Sequence, residues 1–319
     1  MWLAKILVLA LATFSAGLAH AQTWPSKPIR LIVGYSPGGG NDIMARVVAA
    51  KLQDRLGQPV VVENKAGAQS IIAAEFVAKA PPDGYTLLVA PSGPMTINPA
   101  IHAKLPYSPR EDFAPLSLIA EFPLLLAVSA QLPVKSVKEL VDYARAKPNE
   151  ANYASSAAPF QLAAELFNQK TGSKFVHVPF RGSGDAVAAV ASGTVIMTIS
   201  DAGPISAGLQ GGTVRALAVT SAAPHPAFAG VPTMAEAGIP DMVITLWTGI
   251  VAPAGTPPDV IRRLQQEIAE VMRLPDVRER FARLGIDAVS STPEAYAKRI
   301  ADDIERWTAT AKAADIKLN

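Results

Sequence analysis

The sequence predicts an α/β protein with largely parallel sheets and two lobes that face a common crevice, and three observations carry that prediction. Short β-rich runs alternate with helical patterns along most of the 319 residues. Several of these runs are continuously apolar, as strands covered on both faces must be. Loops of small polar residues at 36–41, 92–96, 155–160 and 200–203 follow strands in both halves of the chain. Such loops, at the carboxyl ends of parallel strands, form ligand crevices, and each lobe would supply one wall.

In chain order, the first element is a secretory signal peptide at 1–21. Lys5 gives the positive start, residues 6–18 the apolar stretch, and Ala19-His20-Ala21 a small-x-small cleavage site before Gln22. A membrane anchor would need about 18 or more continuous apolar residues. Thr13, Ser15 and Gly17 interrupt a stretch already too short for that. The mature protein is therefore expected in the periplasm. It contains no cysteine, so its 50% hydrophobic composition has to provide the core without disulfide support.

The stretch 28–46 is the most informative. An apolar strand ends in Gly38, Gly39 and Gly40, which open directly onto an amphipathic helix with Asn41 as a cap residue. Glycines let the turn fold tightly and bring amides close to a ligand, and the helix adds its first-turn donors and positive dipole end. A carboxylate or phosphate fits such a site; an ordinary strand-to-helix turn is the competing reading. Beyond it, strands are predicted at 60–63, 85–90, 116–121, 124–129, 175–179, 195–200 and 214–220. Helices are predicted at 41–56, 70–79, 136–147, 161–169, 257–274 and 293–314, many with Ser, Thr or Asn at the start and Pro in the first turn. Residues 122–123 and the Pro/Ala-rich stretch 222–232 are the candidate crossings between lobes.

Composition and motifs exclude several functions. The formal net charge of +2 falls to +1 when Lys5 is removed, a near balance that argues against nucleic-acid binding. Arg262-Arg263 and the charges of 278–283 alternate with acids, as on a solvated helix face. Neither Gly182-Ser183-Gly184 nor Pro91-Ser92-Gly93 supplies the nucleophile-elbow spacing. The mature histidines, His102, His177 and His225, lie far apart in sequence with no zinc-ligand spacing. The run 38–43 fails the dinucleotide fingerprint because Ile43 stands at the third glycine place. No cofactor and no metal is expected.

The chain resembles the substrate-binding receptors of tripartite tricarboxylate transporters, the Bug family, over essentially all of its mature length. The resemblance rests on Trp24-Pro25-Ser26-Lys27-Pro28-Ile29, Pro37-Gly38-Gly39 with Asp42, Glu63-Asn64 with Gly67-Ala68, and Pro82-Asp83-Gly84-Tyr85-Thr86-Leu87-Leu88. Further marks are His177-Val178-Pro179-Phe180, Leu217-Ala218-Val219-Thr220, Val231-Pro232-Thr233 with Glu236-Ala237-Gly238, and Trp247 with Ala252-Pro253-Ala254-Gly255-Thr256-Pro257.

That resemblance implies a type II, Venus-flytrap periplasmic binding protein. It would be a monomer that holds a mono-, di- or tricarboxylate in its cleft and passes it to integral membrane transporter subunits. Its lobes would be 22–122 with 224–319, and 123–223. The carboxylate would be held by backbone amides and waters at one loop per lobe. The first loop carries onto Ser36, Gly38, Gly39, Gly40, Asn41 and Asp42, with Asp42 as a brace. The second carries onto Ser155, Ser156 and Ala157, with Ser92 and Asp201 nearby. Arg181 is a candidate partner for a second carboxylate, and Trp247 belongs either to the cleft or to the core. The chain departs from the family pattern in having Gln161 where a histidine is usual and in lacking the glycine usual at about Gln69-Ser70. Two alternatives stand beside this reading: a ligand-sensing co-receptor for a membrane kinase, and a secreted enzyme with Asp42, Asp83 or Asp201 as general base.

Overall fold

The computed structural model describes residues 24–180, 182–314 and 316; the expected signal peptide at 1–21 and Arg181 lie outside them. Two sheets organise the chain. The first contains β1 (Ile29–Val33), β2 (Val60–Asn64), β3 (Thr86–Pro91), β4 (Phe113–Pro123), β10 (Thr245–Pro253) and β11 (Asp287–Ala288), in the order β11-β4-β10-β3-β1-β2. The second contains β5 (Leu125–Ser129), β6 (Asn152–Ser155), β7 (Val176–Pro179), β8 (Met197–Ser200) and β9 (Val214–Val219), in the order β7-β6-β8-β5-β9.

Both sheets are mixed, where the sequence suggested largely parallel ones. β1 pairs in parallel with β2 and β3, and β6 with β7 and β8, because helices connect these strands and return the chain to the same edge. β10 runs antiparallel to β3 and β4, and β5 antiparallel to β8 and β9. These antiparallel strands are the ones by which the chain passes from one sheet to the other.

Helices cover the faces. Around the first sheet lie α1 (Gly40–Leu56), α2 (Ile71–Ala78), α8 (Pro258–Arg273) and α9 (Pro275–Ala282), while the short α3 (Asn98–Ile101) adds Ile101 to a core of the second. Around the second lie α4 (Val137–Ala146), α5 (Ala158–Thr171), α6 (Ser183–Ala191) and α7 (Ala202–Gln210). α10 (Pro293–Ala313) closes the chain. Local chemistry sets their ends. Ser136 Oγ accepts from the Glu139 N–H at the start of α4, and Thr292 Oγ1 from the Ala295 N–H at the start of α10. Gly57 and Gly172, both left-handed, stop α1 and α5.

The cores follow from this layering. On one face of the first sheet Leu31, Val33 and Val89 pack with Met44, Val48 and Leu52 of α1 and Leu264 and Ile268 of α8. On the other face Ile32, Leu88 and Trp247 pack with Ala73 and Val77 of α2 and Tyr296 and Ile300 of α10. Trp247 is fully buried there and its Nε1–H donates to Asp303 Oδ2 at 2.7 Å, so it is a core residue and not a cleft wall. The second sheet has a core on each face, and one of them includes Trp307 and Ala311 from the far end of α10. α10 thus packs against both sheets.

Two connections join the sheets, one at Leu124 and one through 220–244. They meet at Thr220. The Leu124 N–H donates to Thr220 Oγ1 (2.8 Å), and the Thr220 N–H donates to the Leu124 carbonyl (2.9 Å). Thr220 Oγ1 donates to the Ile244 carbonyl (2.6 Å), and the Ile244 N–H returns a bond to the Thr220 carbonyl (2.9 Å).

Candidate functional site

The carboxyl ends of β1, β2 and β3 open into α1, a turn at 67–70 and Ser92, while those of β6, β7 and β8 open into α5, α6 and α7. The site is built from these turns.

At the end of β1, Gly38 is the glycine that the backbone requires, with φ of 82°. Gly39 lies in extended backbone as the residue before α1, with φ −75° and ψ 165°, and Gly40 is the first helical residue. Ser36 and the three glycines are exposed. No group among the described residues accepts from the Gly40 or Asn41 N–H, so both remain free for a ligand. Asn41 is not the cap that its sequence position suggested. Its Oδ1 instead accepts from Thr248 Oγ1 (2.9 Å), which ties the head of α1 to β10.

Asp42 lies beneath this loop, 2% exposed, with every partner supplied from within. Its Oδ2 accepts from the Gly38 N–H (2.9 Å) and from Arg46 Nε (3.0 Å), and its Oδ1 from Asn64 Nδ2 (2.9 Å). The same Asn64 amide donates to the Tyr35 carbonyl (3.0 Å). The hydrogen bond from Arg46 is the main reason that the Asp42 carboxyl is held down at about 2, with Gly38 and Asn64 adding to it. A carboxylate so committed braces the loop.

The remaining predicted residues are placed as follows. Ser92 is buried just after β3, and its carbonyl accepts from Thr96 Oγ1 (2.8 Å). Ser155 ends β6 with its Oγ 2.7 Å from His177 Nε2. Ser156 Oγ lies 3.0 Å from Ser183 Oγ, which links the starts of α5 and α6. Ala157 precedes α5 and is exposed. Asp201 precedes α7, and its Oδ1 accepts from Ser200 Oγ (2.8 Å), so the side chain does not cap the helix. The described residues include no group of three or more acids, histidines or cysteines able to hold a metal. They also include no helix long and apolar enough to cross a membrane.

Two features at this end of the first sheet were missed by sequence reasoning. Tyr35 places its hydroxyl where a Cβ on Gly93 would come within 3.1 Å of it, so the turns after β1 and β3 touch. Ala68, Gln69 and Ser70 are left-handed in succession, with φ of 45°, 53° and 70°. This strain follows from the departure seen in the sequence: a glycine is usual near Gln69-Ser70, and here residues with side chains hold the left-handed turn. Asn98 Nδ2 donates to the Gln69 carbonyl (3.1 Å) and helps to hold it. Gly34 is obligatory beside it, since a Cβ there would sit 1.7 Å from Ser70 Oγ. Residue types alone gave no signal of the left-handed run.

Comparison with known proteins gives a consistent result. The model of the tripartite tricarboxylate transporter family receptor matches residues 44–316. Protein BugT of Bordetella pertussis (strain Tohama I) is 38% identical over 317 residues, covering 98% of this chain and 97% of BugT. Among solved structures, an R. palustris protein with adipate is 35% identical with a TM-score of 0.83, covering 92% of this chain and 99% of that one. MatC from Rhodopseudomonas palustris with bound malate is 31% identical with a TM-score of 0.79, covering 90% and 99%.

Proposed function

The chain belongs to the tripartite tricarboxylate transporter receptor family, and from that membership we propose that it captures a small organic acid in the periplasm and hands it unchanged to integral membrane transporter subunits. The family is one of solute-binding receptors, and two solved relatives carry the dicarboxylates adipate and malate.

The observation that carries the reading is the division of labour at the head of α1. The amides of exposed Gly40 and half-buried Asn41 have no partner among the described residues, while the acid beside them, Asp42, is neutralised by Arg46 and hydrogen-bonded by Asn64. Amides fixed by the fold replace the water around a carboxylate without ordering long side chains, and the helix dipole adds to the attraction. Ser36, Gly38, Gly39, Gly40 and Asn41 form one wall in this reading, and Ser155, Ser156 and Ala157 the other, with Ser92 and Asp201 at the margins. Lobes of 22–122 with 224–319, and of 123–223, would close on the acid about Leu124 and Thr220, as a monomer without cofactor.

Mass spectrometry of small molecules released by denaturing freshly purified protein tests the proposal. Recovery of an organic acid supports it. Recovery of a sugar, peptide or nucleotide at one mole per mole of protein overturns it.

A further inference from the structure

Ser155 ends β6 at the second-lobe loop, and its hydroxyl is tied to a histidine that the receptor reading leaves unused. His177 sits on β7, the outer strand of the second sheet, directly opposite Tyr153 in the parallel register with β6. Its ring stacks on the Tyr153 ring, with centroids 5.1 Å apart and an interplanar angle of 26°. Its Nε2 lies 2.7 Å from Ser155 Oγ. Tyr153 is fully buried and donates to Glu165 Oε1 of α5 (2.7 Å), and Asn168 Nδ2 donates to Glu165 Oε2 (3.1 Å). Among the described residues, the titratable and charged groups facing His177 are Tyr153 and Glu165. His177 is half-buried, so protons reach it from solvent.

The Ser155–His177 bond has two polarities, with opposite consequences for an anion. When His177 Nε2 is bare it accepts the Ser155 proton, and Ser155 then offers only lone pairs elsewhere, which repel a carboxylate. When Nε2 carries a proton it donates to Ser155 Oγ, and the Ser155 O–H is released to donate to a carboxylate. The imidazolium carries a proton on Nε2 in every case and adds a positive charge.

We propose that His177 is a positioning residue for the bound acid: by protonating at Nε2 it turns the Ser155 hydroxyl into a donor aimed at the carboxylate, so that capture of the acid is coupled to uptake of a proton. Burial lowers the readiness of His177 to take that proton in the empty protein, while the charge of Glu165 favours it. An arriving carboxylate adds to the side of Glu165, so the imidazole gains affinity for its proton as the acid binds. Dicarboxylates such as adipate and malate remain largely ionised down to about pH 6. Affinity should therefore rise as pH falls from about 7.5 to about 6, the range in which an imidazole titrates.

The inference rests on the carboxylate-receptor reading, and the experiment separates the two. Calorimetry with adipate and malate, both largely ionised over this range, is run at both pH values in buffers of unlike ionisation enthalpy. The expected result is roughly threefold to tenfold tighter binding of at least one of them at the lower pH, with net proton uptake, since one unit of pKa shift corresponds to tenfold. His177→Gln keeps a neutral donor near Ser155 and should bind with no pH dependence and no proton uptake. His177→Phe leaves the Ser155 hydroxyl untied and should likewise bind with no pH dependence and no proton uptake. Wild-type pH dependence in a folded His177→Gln protein would overturn the role of His177 while leaving the receptor reading intact. Failure of both acids to bind would overturn the receptor reading and this inference with it. In the unmutated protein, imidazole 15N spectra of the adipate or malate complex at about pH 6 should show the ring protonated at both nitrogens; a neutral ring would also overturn the proposal, without any substitution.

Discussion

Leu124 and Thr220, nearly a hundred residues apart in sequence, exchange two hydrogen bonds where the chain passes between its sheets, from the Leu124 N–H to Thr220 Oγ1 and from the Thr220 N–H to the Leu124 carbonyl. Thr220 Oγ1 also donates to the Ile244 carbonyl, so one hydroxyl serves both connections. Thr220→Val keeps the shape and removes both bonds, leaving a buried N–H and a buried carbonyl unsatisfied. The expected cost is about 2 kcal/mol, read as a melting temperature several degrees lower in a thermal scan. An unchanged melting temperature would show that Thr220 does not hold the crossing.

The exposed amide loop is tested at Gly39. Its backbone is extended, and a Cβ there would have only the Ser36 carbonyl at 3.4 Å as a neighbour. Valine at this position should therefore fold well, while its branched side chain stands in the approach to the amides of Gly40 and Asn41. Thermal stability near that of the parent, with affinity for an organic acid reduced at least about tenfold (about 1.4 kcal/mol), is the expected outcome by calorimetry. Undiminished affinity would remove this loop from the site. The positive-φ position is Gly38, where any side chain adds backbone strain and obscures the comparison.

Asp42 supplies a pH signature. Its carboxyl is held at about 2, chiefly by the Arg46 hydrogen bond, below the unfolded value of about 3.9. Its contribution is complete above the unfolded value and disappears as pH falls through the folded one. Arg46 is half exposed, so water screens part of the attraction and the contribution is about 1–2 kcal/mol. Asp42→Asn should be less stable than the parent by that amount in urea titrations near neutrality. The difference should shrink between about pH 4 and pH 2. A constant difference across that range would show that charge is not what Asp42 contributes.

Closure is tested on the intact receptor. An acid held by both walls prefers the closed form through its additional contacts, so saturation should reduce the radius measured by small-angle scattering and raise the melting temperature. α10 packs into the cores of both sheets, so closure would also require this helix to shift or bend. A bound acid with no change in radius would argue against mobile lobes.

Much of this was legible in the sequence, and the gaps have physical causes. The run IRLIV followed by three glycines announced β1, its turn and α1, because apolar continuity and missing side chains leave few other options. β10 was not foreseen because Gly249 and Pro253 interrupt its pattern. The glycine is there for Tyr296, whose ring would lie 2.5 Å from a Cβ at that position. Asp42 was read as a brace, and its three partners fit that role, but Asn64 as one of them is visible only when β2 is seen beside β1. The left-handed turn at 68–70 was hidden because none of its residues is a glycine. The link between Ser155 and His177 depends on the register of two strands separated by a whole helix, which no local pattern encodes.

The position of β10 has a consequence for how the molecule comes into being. β10 lies between β3 and β4, yet its residues follow the entire second sheet in the chain. A polypeptide emerging amino end first can make β1, β2 and β3 early, but the middle of that sheet stays vacant until residue 253 is available. Any fragment ending sooner exposes the buried edges of β3 and β4 and has no complete first sheet. Pairings across so long a separation form slowly, so the chain remains threadable until nearly all of it has been made.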